Sequence, residues 1–264
     1  MNELALFAGA GGGILGGHLL GWRTVCAVEW EAYPASVLCA RQNEGLLPSF
    51  PIWDDVQTFD GKPWRGIVDV VSGGFPCQDI SSAGKGEGIN GKRSGMWKHM
   101  ARIVGEIRPK FVFVENSPLL TRRGLGTVLG DLASMGFNAE WGVLSASAVG
   151  ANHKRERIWI CAKLSDIFSY SMHDRSGWRK QQSESIKEKN GAMANTTKFR
   201  TQGQSKDKRK PTEWIDSASW WKVEPNVGRV ANGVAAGMDR LKAIGNGQVP
   251  LCAATAWRLL NERL

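Results

Sequence analysis

Cys77 stands in the stretch Gly73-Gly74-Phe75-Pro76-Cys77-Gln78-Asp79-Ile80-Ser81, directly after an apolar run at 68–72. Cysteine acts as a nucleophile through its thiolate, and Pro76 rigidifies the approach to it. A later apolar run, 111–114, delivers Glu115-Asn116. A thiolate and a carboxylic acid together suit one difficult reaction, substitution at C5 of cytosine. That carbon is a poor nucleophile. Attack of a thiolate on C6 makes C5 enamine-like, and a proton shared with N3 stabilises the adduct. A glutamic acid kept protonated by its surroundings can supply that proton. The plainer readings are an inert core cysteine and a structural surface acid.

The start of the chain carries a second kind of signal. An apolar run is followed by Phe7-Ala8-Gly9-Ala10-Gly11-Gly12-Gly13 and then a helical pattern. Glycines there allow a tight turn and a close approach of backbone to a ligand. An ordinary strand-to-helix turn is the other reading. Glu29 lies about 20 residues on, where an acid suits ribose hydroxyls. Trp30 either stacks on an adenine ring or packs in the core. Asp55, read as lying near the start of the next strand, is placed to accept from an adenine amino group. No Walker lysine follows the glycines, so adenosine without a long phosphate tail is expected. That favours S-adenosyl-L-methionine over a dinucleotide.

The elements that must position these residues follow from patterning. Apolar runs at 4–8, 24–28, 68–72, 111–114, 141–144 and 157–162 alternate with helical patterns at 14–20, 32–43, 95–107 and 126–135. Such runs read as buried parallel strands of an α/β sheet. Ligands of open α/β sheets collect beyond the carboxyl ends of the strands, which is where Cys77 and Glu115 fall. Three regions are expected: 1–164, catalytic and cofactor-binding; 165–222, a short target-recognition region; and 223–264, which completes the first and contains a helix at 251–260. The middle region is polar, with 12 Lys and Arg against 7 Asp and Glu. It reads as a basic nucleic-acid-contacting insert or a solvated linker. Trp178, Trp214, Trp220 and Trp221 favour order, because aromatics are depleted in disordered chain.

Composition bounds the rest. The formal charge of +9 over 264 residues fits a polyanionic partner, although many basic proteins bind no nucleic acid. The five cysteines are scattered and form no CxxC pair, which argues against a disulfide framework and a zinc site. No apolar run approaches a membrane span, and the N-terminus carries no signal-peptide pattern. A cytoplasmic, nucleoid-associated protein of a bacterial or phage-infected cell is expected.

Taken in order, these segments resemble the cytosine-C5 DNA methyltransferases, over nearly the whole chain. The glycine-rich opening at 7–12 is similar to that family's cofactor motif. Glu29-Trp30 resembles its ribose and adenine contacts, and 73–81 its catalytic loop. Glu115-Asn116 resembles the acid motif, Lys154-Arg155-Glu156-Arg157 the arginine motif, and Gly245-Asn246 the C-terminal motif that returns to the cofactor. The resemblance implies a Rossmann-like S-adenosylmethionine-dependent methyltransferase fold: α/β, a mostly parallel sheet, and a small, basic target-recognition insert. It implies DNA (cytosine-5) methyl transfer, with S-adenosyl-L-methionine as cofactor and double-stranded DNA as partner. A monomer without metal or membrane attachment is expected. Cys77 would attack C6 of a flipped cytosine, Glu115 would contact N3 and the exocyclic amine, and Arg155 and Arg157 would hold the base. Phe7, Gly9, Gly11, Gly12, Glu29, Trp30, Asp55 and Asn246 would line the cofactor site. Gln78, Ser81, Arg93 and Asn116 would serve the substrate loop. A tRNA methyltransferase of the same fold and a catalytically silent DNA-binding homologue are the alternatives. Three departures stand out: Ser117 where the family has Val, His153 where it has Gln, and a short insert.

Overall fold

The protein is described by a computed structural model covering residues 1–76, 95–165 and 237–264. Strands β1 (Asn2–Leu6), β2 (Arg23–Val28), β3 (Ile52–Trp53), β4 (Val70–Gly73), β5 (Phe111–Asn116), β6 (Phe137–Ser145) and β7 (Glu156–Leu164) form one sheet. Their order across it is β3-β2-β1-β4-β5-β7-β6. The first five strands pair in parallel. β7 runs against both of its neighbours, β5 and β6. The expectation of parallel strands at 141–144 and 157–162 is thereby corrected at β7. An apolar run reports burial on both faces and carries no information about strand direction.

The helices are α1 (Gly12–Leu19), α2 (Ala32–Asn43), α3 (Met96–Ile107), α4 (Leu120–Arg123), α5 (Leu125–Ser134), α6 (Gly237–Asn246) and α7 (Pro250–Asn261). α3 buries Trp97, Met100, Ile103, Val104 and Ile107, a stripe at helical spacing. It ends at Arg108 in the left-handed conformation, and Pro109 prevents continuation. α3 and α5 pack on the face made by Leu4, Leu6, Val71, Val112, Val114, Ile158 and Ile160. Each such side chain contributes about 1.5–3 kcal/mol by leaving water.

The opposite face carries Val70, Phe113, Trp159 and Cys161, covered by Trp22 and by Cys252, Ala253, Ala256 and Trp257 of α7. Its rings interlock: Trp22 meets Trp257 edge-on at 4.6 Å and Phe113 stacks on Trp159 at 5.2 Å between centroids. α7 thus returns the end of the chain to the sheet, in the place of the helix expected at 251–260, with Pro250 opening it. The expected insert at 165–222, apart from Ser165, lies outside the described residues. No helix among the described residues is long and apolar enough to cross a membrane.

Candidate active site

The carboxyl ends of β1, β2, β4 and β5 converge on one edge of the sheet. β1 is followed by Phe7, a non-glycine residue held at φ 52°, and the backbone then turns into α1 through Gly11 at φ 91°. A side chain at either angle is strained, and Phe7 bears it at the mouth of a cavity. That cavity, about 560 Å³, is lined by Phe7, Val28, Trp30, Asp55, Pro76 and Met96, among others. Its lining joins apolar walls to the charged or polar Glu31, Asp54, Asp55, Gln57 and Lys242, a mix that suits a nucleoside. Trp30 is 72% exposed, which rules out core packing and leaves its ring free to stack. Asp55 sits in a turn just after β3, not before a strand as expected, because the two-residue β3 was invisible as an apolar run. One Asp55 carboxylate oxygen accepts from the Gln57 N–H at 2.8 Å.

Glu29 does something the sequence did not disclose. Its two carboxylate oxygens accept from the backbone N–H of Gly9 at 2.7 Å and of Glu31 at 2.8 Å. The acid therefore ties the glycine turn to the end of β2. Burial raises its pKa above the ordinary carboxylate value. At the rim, Lys242 pairs with Glu31 at 2.8 Å, half-exposed and so of small energetic weight.

The glycines divide into two groups. Gly9 faces open space. A Cβ on Gly11 would lie 2.8 Å from the Leu38 side chain, and one on Gly12 would lie 2.2 Å from the carbonyl oxygen of Gln248. The absence of side chains at Gly11 and Gly12, read as room for a ligand, is required by the protein's own packing. Gln248 is the residue that sequence reasoning missed. Its side-chain oxygen lies 2.6 Å from where a Gly13 Cβ would be, and its amide nitrogen 3.0 Å from a Cβ on Gly74. Its neighbour Asn246 lines a smaller cavity with Gly9, Gly74, Glu115 and Gln248. That cavity connects the glycine turn to the acid.

Glu115, the penultimate residue of β5, has its side chain 12% exposed, and Arg157 of β7 donates from Nε to one of its oxygens at 2.8 Å. Burial pushes the Glu115 carboxyl up to about 7, against the opposing pull of Arg157 and Arg155. The group is thus poised between acid and carboxylate near neutral pH. A Cβ on Gly74 would fall 2.7 Å from its second oxygen, so a side chain there would displace the carboxylate. Asn116, 2% exposed, donates from its amide to the Phe75 carbonyl at 3.0 Å and accepts from the Ser117 N–H at 2.8 Å. It fastens the chain entering Cys77 to β5. Ser117, in place of Val, accepts from the Leu119 N–H at the approach to α4.

The Arg155 guanidinium donates to the carbonyls of Gly245, at 2.7 Å, and Gly247. Arg155 sits at φ 29°, a strained non-glycine conformation. It fastens the approach to β7 to the last turn of α6 and the residue just beyond it. Arg157 reaches Glu115 as described. Cys77, Gln78, Ser81 and Arg93 lie outside the described residues.

A seven-stranded, mostly parallel sheet with β7 reversed, helices on both faces and a nucleoside-sized cavity at the carboxyl edge defines a Rossmann-like S-adenosylmethionine-dependent methyltransferase fold. Within that class, residues 1–242 match the model of the C-5 cytosine-specific DNA methylases, and the chain belongs to this family. It is 36% identical over 173 residues to the Type II methyltransferase M.Eco47II of Escherichia coli, covering 62% of this chain and 40% of that protein. It is 31% identical over 171 residues to the Type II methyltransferase M.HhaI of Haemophilus parahaemolyticus, covering 63% and 50%. The structure of the Entamoeba histolytica methyltransferase EhMeth shares the fold, with a TM-score of 0.53 at 18% identity over 62% of this chain and 53% of that one. The matches span from 31% to 52% of the length of these and similar curated relatives.

Proposed function

We propose that the protein methylates C5 of cytosine in double-stranded DNA, with Cys77 as the nucleophile and S-adenosyl-L-methionine as the cofactor. The observation that carries this reading is Glu115, mostly buried, paired with Arg157 and raised to about 7, on the strand beside the one that leads to Cys77. An ordinary surface acid has neither the burial nor the shift.

The Cys77 sulfur forms a bond to C6, and the displaced electron pair makes C5 nucleophilic as N3 takes a share of the Glu115 proton. S-adenosyl-L-methionine supplies an electrophilic methyl group when bound. Once C5 carries the methyl group, its proton passes to water, the proton shared with N3 returns to Glu115 and the Cys77 thiolate leaves, which restores the ring. Trp30 and the apolar wall of Phe7 and Val28 suit the adenosine, and Asp55 offers a carboxylate nearby. Arg157 orients Glu115, Asn116 anchors the entry to the catalytic loop, and Arg155 holds the Gly245–Gly247 turn. A cytosine cannot be reached inside a duplex, so it is flipped out.

Methyl transfer to duplex DNA, measured beside tRNA, tests the reading. Label in DNA is expected, and label in tRNA alone would overturn the choice of substrate. Cys77→Ala is expected to abolish transfer and the covalent adduct with 5-fluorocytosine DNA while retaining cofactor binding. Full activity in that variant would remove the mechanism.

A further inference from the structure

Glu115 and Trp159 are direct partners across the antiparallel β5–β7 pair, so their side chains project from the same face of the sheet. Ser72 and Glu3 lie on that face two and three strands further along. Glu3, 1% exposed, accepts from the hydroxyls of Ser72 and Thr24, each at 2.7 Å. A polar seam therefore crosses the middle of an otherwise apolar layer. α1 covers it with glycines: Gly13 meets Gln248, Gly16 meets Ala253 and Gly17 meets Trp22.

Within this seam is an enclosed cavity of about 10 Å³, walled by Glu3, Ser72, Glu115, Trp159 and Gln248 together with apolar neighbours. That is the size of one water molecule, and a buried water needs two to four polar partners. The wall includes a donor in need of one. Trp159 is 1% exposed, and its indole Nε1 has no hydrogen-bond partner among the described residues. A buried N–H left unpaired costs the full loss of its hydration.

We propose that this cavity binds one structural water, which accepts from the Trp159 indole and donates to the Glu115 carboxyl. Trp159 thereby becomes a positioning residue for the acid, acting from behind while Arg157 holds its other oxygen. The Gln248 carboxamide and the Ser72 hydroxyl offer the water its remaining bonds. Because the indole N–H takes one of its lone pairs, this water has both hydrogens left to donate, and so it favours the carboxylate form of Glu115. The significance for catalysis rests on Glu115 being the acid of the proposed reaction.

The test needs no reaction. A high-resolution crystal structure of the unaltered chain should show an ordered peak within about 3.2 Å of Trp159 Nε1. Trp159→Phe keeps a ring against Phe113 but removes the donor. In protein carrying carbon-13 glutamate, the Glu115 signal is identified by its loss in Glu115→Gln. Its titration midpoint should rise in Trp159→Phe by on the order of half a pH unit, because the carboxylate loses a donor. An absent peak would overturn the water site, as would a folded Trp159→Phe protein with the midpoint unmoved. A protein that held the water but methylated no nucleic acid would instead overturn the proposed function alone.

Discussion

The two faces of the sheet are built on opposite terms. The face under α3 and α5 is apolar, with Leu4, Leu6, Val71, Val112, Val114, Ile158 and Ile160, and the rings of Phe137 and Trp141 beside them, packed against a regular helical stripe. The face under α1 and α7 carries Glu3, Ser72, Glu115 and Trp159 beneath helices rich in glycine and alanine. Alternate residues of the same strands serve both. Leu4 and Glu3 are neighbours in β1, as are Val114 and Glu115 in β5. The first face can be packed for density alone. The second gives up packing volume to place polar groups where water is excluded and their protonation can be tuned. A strand pointing alternately to either side lets a stable layer hold a chemically strained one in register.

This contrast can be broken or sharpened by substitution. The largest effect is expected at Glu115. Glu115→Gln keeps the shape but removes the transferable proton, and kcat for methyl transfer should fall by about 10²- to 10⁴-fold with little change in thermal midpoint. A variant that unfolds instead would show the acid to be structural. The unaltered protein should lose activity as pH rises through about 7, where Glu115 ionises; a flat pH–rate profile there would count against the acid. Met100→Ala on the other face should cost about 2–5 kcal/mol in denaturant unfolding, with cofactor affinity unchanged. The smallest effect is expected at Glu3. Burial raises its carboxyl to about 7, so the folded state binds the proton more tightly than the unfolded chain does. Glu3 therefore makes stability fall as pH climbs from about 4.5 to about 7, by on the order of 1 kcal/mol per pH unit. Glu3→Gln should flatten that slope; an unchanged slope would place its origin elsewhere.

Much of this was legible in the amino-acid order. β2, β4 and β5 announce themselves as near-continuous apolar runs, because parallel strands buried on both faces cannot alternate. α2 was read with its observed bounds. β3 escaped because two residues make no pattern, and the full length of β6 escaped because its first half is partly exposed. Glu115 and the two arginines near it were visible as residue types in a familiar order. Their division of labour was not: the two arginines lie two apart in sequence, yet Arg157 meets a carboxylate and Arg155 meets carbonyls. Gln248 and Trp159 were invisible for a different reason. A glutamine and a tryptophan are chemically ordinary, and their importance comes from sitting opposite a buried acid. The glycines misled in an instructive way, since a residue without a side chain cannot say whether ligand or protein fills the space.

The Gly12–Gln248 contact also orders events in time. α1 begins at Gly12, yet the carbonyl that packs on it belongs to residue 248. Contacts this distant in sequence form late, because the long intervening chain must be closed before they are rewarded. A growing polypeptide therefore carries the glycine turn without its covering layer until α7 docks. The pocket proposed for the cofactor should mature as one of the last steps of folding, and a bound cofactor should act as a latch on the docked α7.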